Sequence, residues 1–204
     1  MSNIALGAPN AAAAGSPSGN RSGVARASGW YGVWLLVVTE GSLFAYLLFS
    51  YSCSLLQAGD AWPRSGPPSL TLASLGTSLL AGSSAALLWL QRGPAKNARL
   101  STGLALALVL GAAFVGVQSY DFIANSATVA ASASDSYYVL LSGLDLLHAG
   151  AGVVALAALL FWSMRGRVQD ADDPNVSIVA IYWHFTVIVW LCIFATLYLL
   201  PRWR

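Results

Sequence analysis

Glu40, Asp145, His148 and His184 carry most of the reactive chemistry in this sequence, and each stands inside a long apolar run. Glu40 lies in VVTEGSLF, Asp145 and His148 in GLDLLHAG, and His184 in YWHFTVIV. Carboxylates and imidazoles can hold a metal ion, pass a proton, or hydrogen-bond across neighbouring helices. Asp145 and His148 are three residues apart, a spacing that places both on one side of a helix. With His184 they have the ligand types of a metal centre, so a membrane metalloenzyme using Asp145, His148 and His184 is one alternative. A proton- or lipid-linked role for Glu40 is another, because an isolated acid at mid-membrane depth is the hardest of the group to explain structurally. The third is a structural one, in which these groups hydrogen-bond one another and fix helix register. A charged side chain at a helix centre in lipid costs roughly 2.5–3.5 kcal/mol, so all of them, with Gln118 and Asp121, are expected to face the bundle, a partner or a water pocket.

Other chemistries are excluded by what the chain lacks. Two histidines are too few to ligate a pair of haems and a copper centre, and there is no CxxCH or P-loop. Cys53 and Cys192 fall in apolar runs with no zinc-like spacing, as buried thiols acting as small hydrophobes do. A Gly/Pro-interrupted pair of helices, the mark of many transporters, is missing. The sequence therefore assigns this chain no catalytic, cofactor-binding or metal-ligating residue, and any redox chemistry belongs to a partner.

The elements that must position these groups follow from composition. Charged residues are 9% of the chain, against roughly 25% in a soluble domain, too few to wet an ordinary surface. The solvent is lipid. A net charge of +2, with its cations scattered, gives no footprint for nucleic acid. Five apolar runs, near 30–56, 70–91, 100–122, 136–164 and 176–200, each reach the ~20 residues that a bilayer core requires. Every proline lies outside them, from Pro9 and Pro17 through Pro63, Pro67, Pro68, Pro94 and Pro174 to Pro201, as helices demand. The runs lack the alternation of barrel strands. The fold class is all-α, a bundle of five transmembrane helices over residues 30–204, preceded by a mobile tail at 1–29 that has no secretory signal.

Lysine and arginine set the orientation. With the amino terminus inside, Arg21, Arg26, Arg92, Lys96, Arg99, Arg165 and Arg167 are inside, and only Arg64, Arg202 and Arg204 are outside. Aromatic residues at the run ends, among them Trp30, Tyr31, Tyr120, Tyr137, Tyr138 and Trp203, suit an interfacial belt. In the second run Ala73, Thr77, Ala81 and Ala85 recur every four residues, beside Ser74, Ser78, Gly82 and Ala86, and predict a seam for close helix packing.

Several of these stretches, taken in order, resemble subunit III of the haem–copper respiratory oxidases: VTEGSLFAYLLFSY, AWPRSGPPSL, FVGVQSYDF, DSYYVLLSGLDLLHAGAG and YWHFTVIVWLCIFATLYL. The likeness runs from about Trp30 to Tyr198, and its most specific block contains Tyr182, Trp183 and His184. It implies a short five-helix bacterial form of a cytochrome c or quinol oxidase subunit, lodged in the bacterial inner membrane. Such a subunit carries no cofactor of its own. Haem and copper sit in its partners, subunits I and II; phospholipid is a further implied partner, held in long seven-helix forms in the cleft of a V of which five helices resemble the larger arm. Glu40 matches the family's membrane-buried glutamate, His148 and His184 match family histidines, and Gln118, Asp121, Asp145, Tyr182 and Trp183 would complete a structural polar network. The implied role is accessory, supporting assembly, stability and sustained proton-coupled oxygen reduction by subunit I. Three positions depart from the pattern: Asp145 replaces a second histidine, Val187 an aspartate, and Asp121 a glutamate. They leave open, as an alternative, the related accessory subunit of a nitric oxide reductase-type complex.

Overall fold

The computed structural model describes residues 18–58, 69–92, 97–126 and 133–203. Five long helices account for nearly all of them: α1 (Ser18–Ala58), α2 (Leu70–Gln91), α3 (Asn97–Ser126), α4 (Ala133–Met164) and α5 (Pro174–Ile193). All five are long and apolar enough to cross a membrane, so the chain is a multi-pass membrane protein. Residues 1–17 of the expected tail lie outside the described residues. Residues 18–29 are helical, unlike the expectation, because no proline interrupts the chain between Ser18 and the apolar run. The membrane-competent part of α1 begins at Gly29.

Local chemistry explains the start and end of α5. The Asp173 side chain accepts the Asn175 N–H at 2.8 Å, and Pro174 supplies a pre-set φ in the first turn. The connection from α4 turns at Gly166, whose φ of +68° suits glycine. At its far end α5 widens into a π-helical turn, Phe194–Leu199, and tightens into a 3₁₀ turn, Leu200–Arg202. The π turn brings Tyr198 into the interior, fully buried.

Helices α2 to α5 form the main bundle. α3 packs against α2 on one side and α4 on the other, while α5 closes on both α4 and α2. α1 leans on α5 and α4 from outside, leaving Tyr31, Leu35, Val38, Tyr46 and Phe49 exposed to the lipid. The bundle is tightest around Trp183. A Cβ placed on Gly152 would lie 2.6 Å from its ring, and one on Gly111 would lie 2.7 Å away, so glycine on α3 and α4 makes the slot that the indole fills.

The seam predicted on α2 is only half present. Ala73 and Ala86 are buried and Gly82 approaches Leu110, but Ala81 and Ala85 face outward, and the buried stripe follows Ala73, Gly76, Leu80, Ser83, Ala86, Leu87 and Leu90. At 3.6 residues per turn, a four-residue repeat rotates steadily around the helix and leaves the contact face within a few steps.

Candidate functional site

Glu40 and His148 form the acid–base pair of the described structure. His148 Nε2 lies 3.5 Å from Glu40 Oε2, at the outer edge of hydrogen-bond reach. Its other ring nitrogen, Nδ1, donates to the Leu144 carbonyl at 2.7 Å, since a carbonyl can only accept. That bond fixes the ring so that Nε2 faces the acid. The Phe44 ring meets the imidazole edge-on, with centroids 5.3 Å apart, and the Tyr182 hydroxyl donates to the His148 carbonyl at 3.1 Å. Three helices thus hold one imidazole in place. The pair is not sealed, however: the side chains retain 34% exposure at Glu40 and 17% at His148. An imidazole nitrogen facing a carboxyl can share one proton with it, as an ion pair or as a neutral acid and base.

A second polar group lies deep inside. Asp121 Oδ2 accepts the hydroxyls of Tyr138 at 2.9 Å and Tyr198 at 3.1 Å, while the Asn125 amide donates to Asp121 Oδ1 at 3.0 Å. One carboxyl joins α3, α4 and the π turn of α5, and all three major participants are buried. Tyr138 was expected at the interface; it is buried instead, because its hydroxyl finds a carboxylate on the neighbouring helix. Neither Tyr138 nor Tyr198 was singled out by type and spacing. The available signal was a tyrosine within, rather than beyond, an apolar run, whose buried hydroxyl needs a partner.

His184 takes a third environment. Its Nδ1 lies 2.7 Å from Ser84 Oγ on α2, tying α2 to α5 beside the Trp190–Thr77 bond of 2.9 Å. Its Nε2 is buried and unpartnered. Trp183 fills the glycine slot with its Nε1 likewise unpartnered.

Asp145 and His148 lie on one side of α4 but meet different surroundings. Asp145 is fully buried on the stripe of α4 that includes Ser142, Ala149 and Leu156, while His148 turns toward α1 and Glu40. Three residues separate the two side chains by about 60° around the helix, so one side of α4 carries the buried Asp145 and, at its margin, the His148 that meets α1. His184 is engaged with α2, so Asp145, His148 and His184 do not assemble. Among the described residues no group of three or more His, Cys, Asp or Glu side chains could hold a metal ion, and the donor set proposed for a metalloenzyme does not fit one. Gln118 is buried on α3, one turn from Asp121.

Comparison with known proteins gives these positions a context. A family profile described as cytochrome c oxidase subunit III matches residues 11–202. The chain is 31% identical over 173 residues to the probable cytochrome c oxidase subunit 3 of Mycobacterium leprae, a match covering 81% of this chain and 84% of that protein. It is 27% identical over 176 residues to the cytochrome bo(3) ubiquinol oxidase subunit 3 of Pseudomonas putida, covering 83% and 84%. With the cytochrome c oxidase subunit 3 of Oryctolagus cuniculus it shares 26% identity over 179 residues, covering 82% and 68%.

Proposed function

The chain belongs to the cytochrome c oxidase subunit III family, and from that premise we propose that it is the accessory, non-redox subunit of a haem–copper terminal oxidase in aerobic electron transport. It lies in a bacterial inner membrane with its amino terminus in the cytoplasm and its carboxy terminus outside. The distribution of lysine and arginine supports that orientation. Its neighbours are subunit I, which carries out oxygen reduction, and subunit II. The proposal is the same for a cytochrome c or a quinol donor, both of which are named among the relatives.

Haem and copper belong to those neighbours, where they carry the electrons. The residues here do not fit them. His148 gives Nδ1 to Leu144 and turns Nε2 to Glu40, and His184 gives Nδ1 to Ser84. No redox step is routed through this chain.

The observation that carries the reading is the Glu40–His148 pair, held between α1 and the main bundle and left partly open. Buried polar pairs that serve packing alone are normally sealed and fully hydrogen-bonded. An acid and a base at a distance of 3.5 Å, with a third of the acid exposed, instead suit a group that shares a proton at the edge of the protein. Phospholipid against the outward side of α1 would complete that edge. In this reading the pair supports proton-coupled turnover by subunit I over many cycles, and the rest of the bundle supplies the docking scaffold.

Purification through this chain from its native membrane tests the proposal. Co-purification of a haem-bearing subunit, seen in the optical spectrum and the subunit pattern, is expected. A homogeneous preparation without haem overturns it. Within the complex, Glu40→Gln is expected to leave initial oxygen reduction near its native rate and to shorten the number of turnovers before activity decays. Complete loss of initial activity in a fully assembled complex would refute the accessory role.

A further inference from the structure

Three buried polar side chains lie outside the groups described so far. Asp145 is fully buried, and neither of its carboxyl oxygens has a hydrogen-bond partner. Ser142, one turn away on the same stripe of α4, is fully buried with an unpartnered hydroxyl. Gln118, on the interior stripe of α3 and 2% exposed, has an unpartnered amide nitrogen. An orphaned buried polar group costs about 1–3 kcal/mol, and three together in one lipid-embedded bundle call for an explanation.

The register of α3 and α4 puts them at one depth. A Cβ on Gly143 would lie 3.5 Å from the Phe122 ring, and one on Gly111 would lie 3.5 Å from Val153, so the two helices run antiparallel with 122 beside 143 and 111 beside 153. Gln118 is four residues from Phe122, which sets it about 3 Å from the level of Asp145. Both occupy the stripes through which these helices meet. Gln118 shares its stripe with Phe114 and Asp121, and Asp145 shares its own with Tyr138 and Ala149. The neighbours of Asp145 along that stripe, Ser142 and Ala149, are small.

We propose that Gln118, Ser142 and Asp145 form an internal water-binding site between α3 and α4. Polar groups that face one another without bonding directly are the usual hosts of a bridging water, which makes about three hydrogen bonds to otherwise unsatisfied partners. The unpartnered atoms suit a water: the Gln118 amide nitrogen donates, the Ser142 hydroxyl donates and accepts, and the Asp145 carboxyl accepts. The site lies next to the Asp121–Tyr138–Tyr198 group, one turn away along α3, so it extends a chain of exchangeable hydrogens from that group toward the bundle centre. It depends on none of the oxidase chemistry proposed above.

The experiment combines a density map of the purified chain, in whatever complex it is isolated, with thermal midpoints of two variants. At a resolution that shows ordered water, density within hydrogen-bond reach of at least two of the three side chains is expected. Asp145→Asn, which keeps acceptor and donor atoms, is expected near the native midpoint, and Asp145→Leu about 2–4 °C or more below it. Should Asp145→Leu not assemble, Ser142→Ala serves in its place. Loss of a bridged hydroxyl lowers the midpoint, whereas loss of a dry, unpartnered one raises it. A map with no density between the three side chains, or a Leu or Ala variant at least as stable as the native chain, overturns the site.

Discussion

Asp121 and Glu40 are both acids inside the membrane, and their surroundings differ in every respect that matters. Asp121 is buried, accepts two tyrosine hydroxyls and ties together α3, α4 and the end of α5. Glu40 is a third exposed, meets one histidine at 3.5 Å, and sits on a helix whose main contacts with the bundle are α5 and α4. A closed network has its geometry over-determined and little freedom to do anything but hold helices together. An open pair has slack, and slack lets a group change its proton or its contacts without unfolding its surroundings. Within one fold, the difference separates an acid locked into the packing from one left partly open at its side chain.

The largest effect that could break this comparison is at Asp121. Asp121→Leu strands two buried tyrosine hydroxyls at once, so a loss of about 3 kcal/mol or more is expected, read as a fall in thermal midpoint and in the yield of folded chain. Asp121→Asn keeps an acceptor and should lose less. Next comes the glycine slot. Gly152→Ala drives a Cβ to within 2.6 Å of the Trp183 ring, at a cost of about 1–3 kcal/mol. Two residues away, a Cβ on Gly150 meets nothing within 4 Å, and Gly150→Ala should stabilise by about 0.5–1 kcal/mol through helix propensity alone. Opposite signs from the same substitution would sharpen the distinction between closed and open sides of α4. Tyr198→Phe removes one of two hydroxyls from Asp121 and is expected to cost about 1 kcal/mol in the same measurement.

Much of the fold was legible because lipid makes hydropathy and proline placement speak for the same boundaries. Among the described residues Pro174 opens α5 and Pro201 falls in the 3₁₀ turn beyond it, and each of the five runs contains a membrane-competent helix. Angular detail was less legible. Asp145 and His148 lie on one side of α4, as their spacing requires, yet the spacing does not show that one is sealed inside and the other meets α1. The four-residue repeat on α2 failed for the related reason that a sequence repeat says nothing of slow rotation away from a contact. Least legible were the partners. Ser84 for His184, and Tyr138 and Tyr198 for Asp121, are separated by up to 100 residues, and only the packed bundle brings them together.

The smallest expected effect is the one that tests the comparison at its open end. Glu40→Gln removes the charge and keeps the shape and a polar tip. Because Glu40 is partly exposed and its only charged contact is long, the thermal midpoint should move by no more than about 0.5 kcal/mol allows, and the yield of folded chain should not change. His148 keeps its Leu144 bond and its Phe44 contact without the acid, so the ring has no reason to leave. If Glu40→Gln instead destabilises the chain as much as Asp121→Leu, Glu40 is a packing residue and the contrast between the two acids collapses. If stability holds while endurance under turnover falls, the pair acts through the acid group of Glu40, which the substitution removes while keeping its shape.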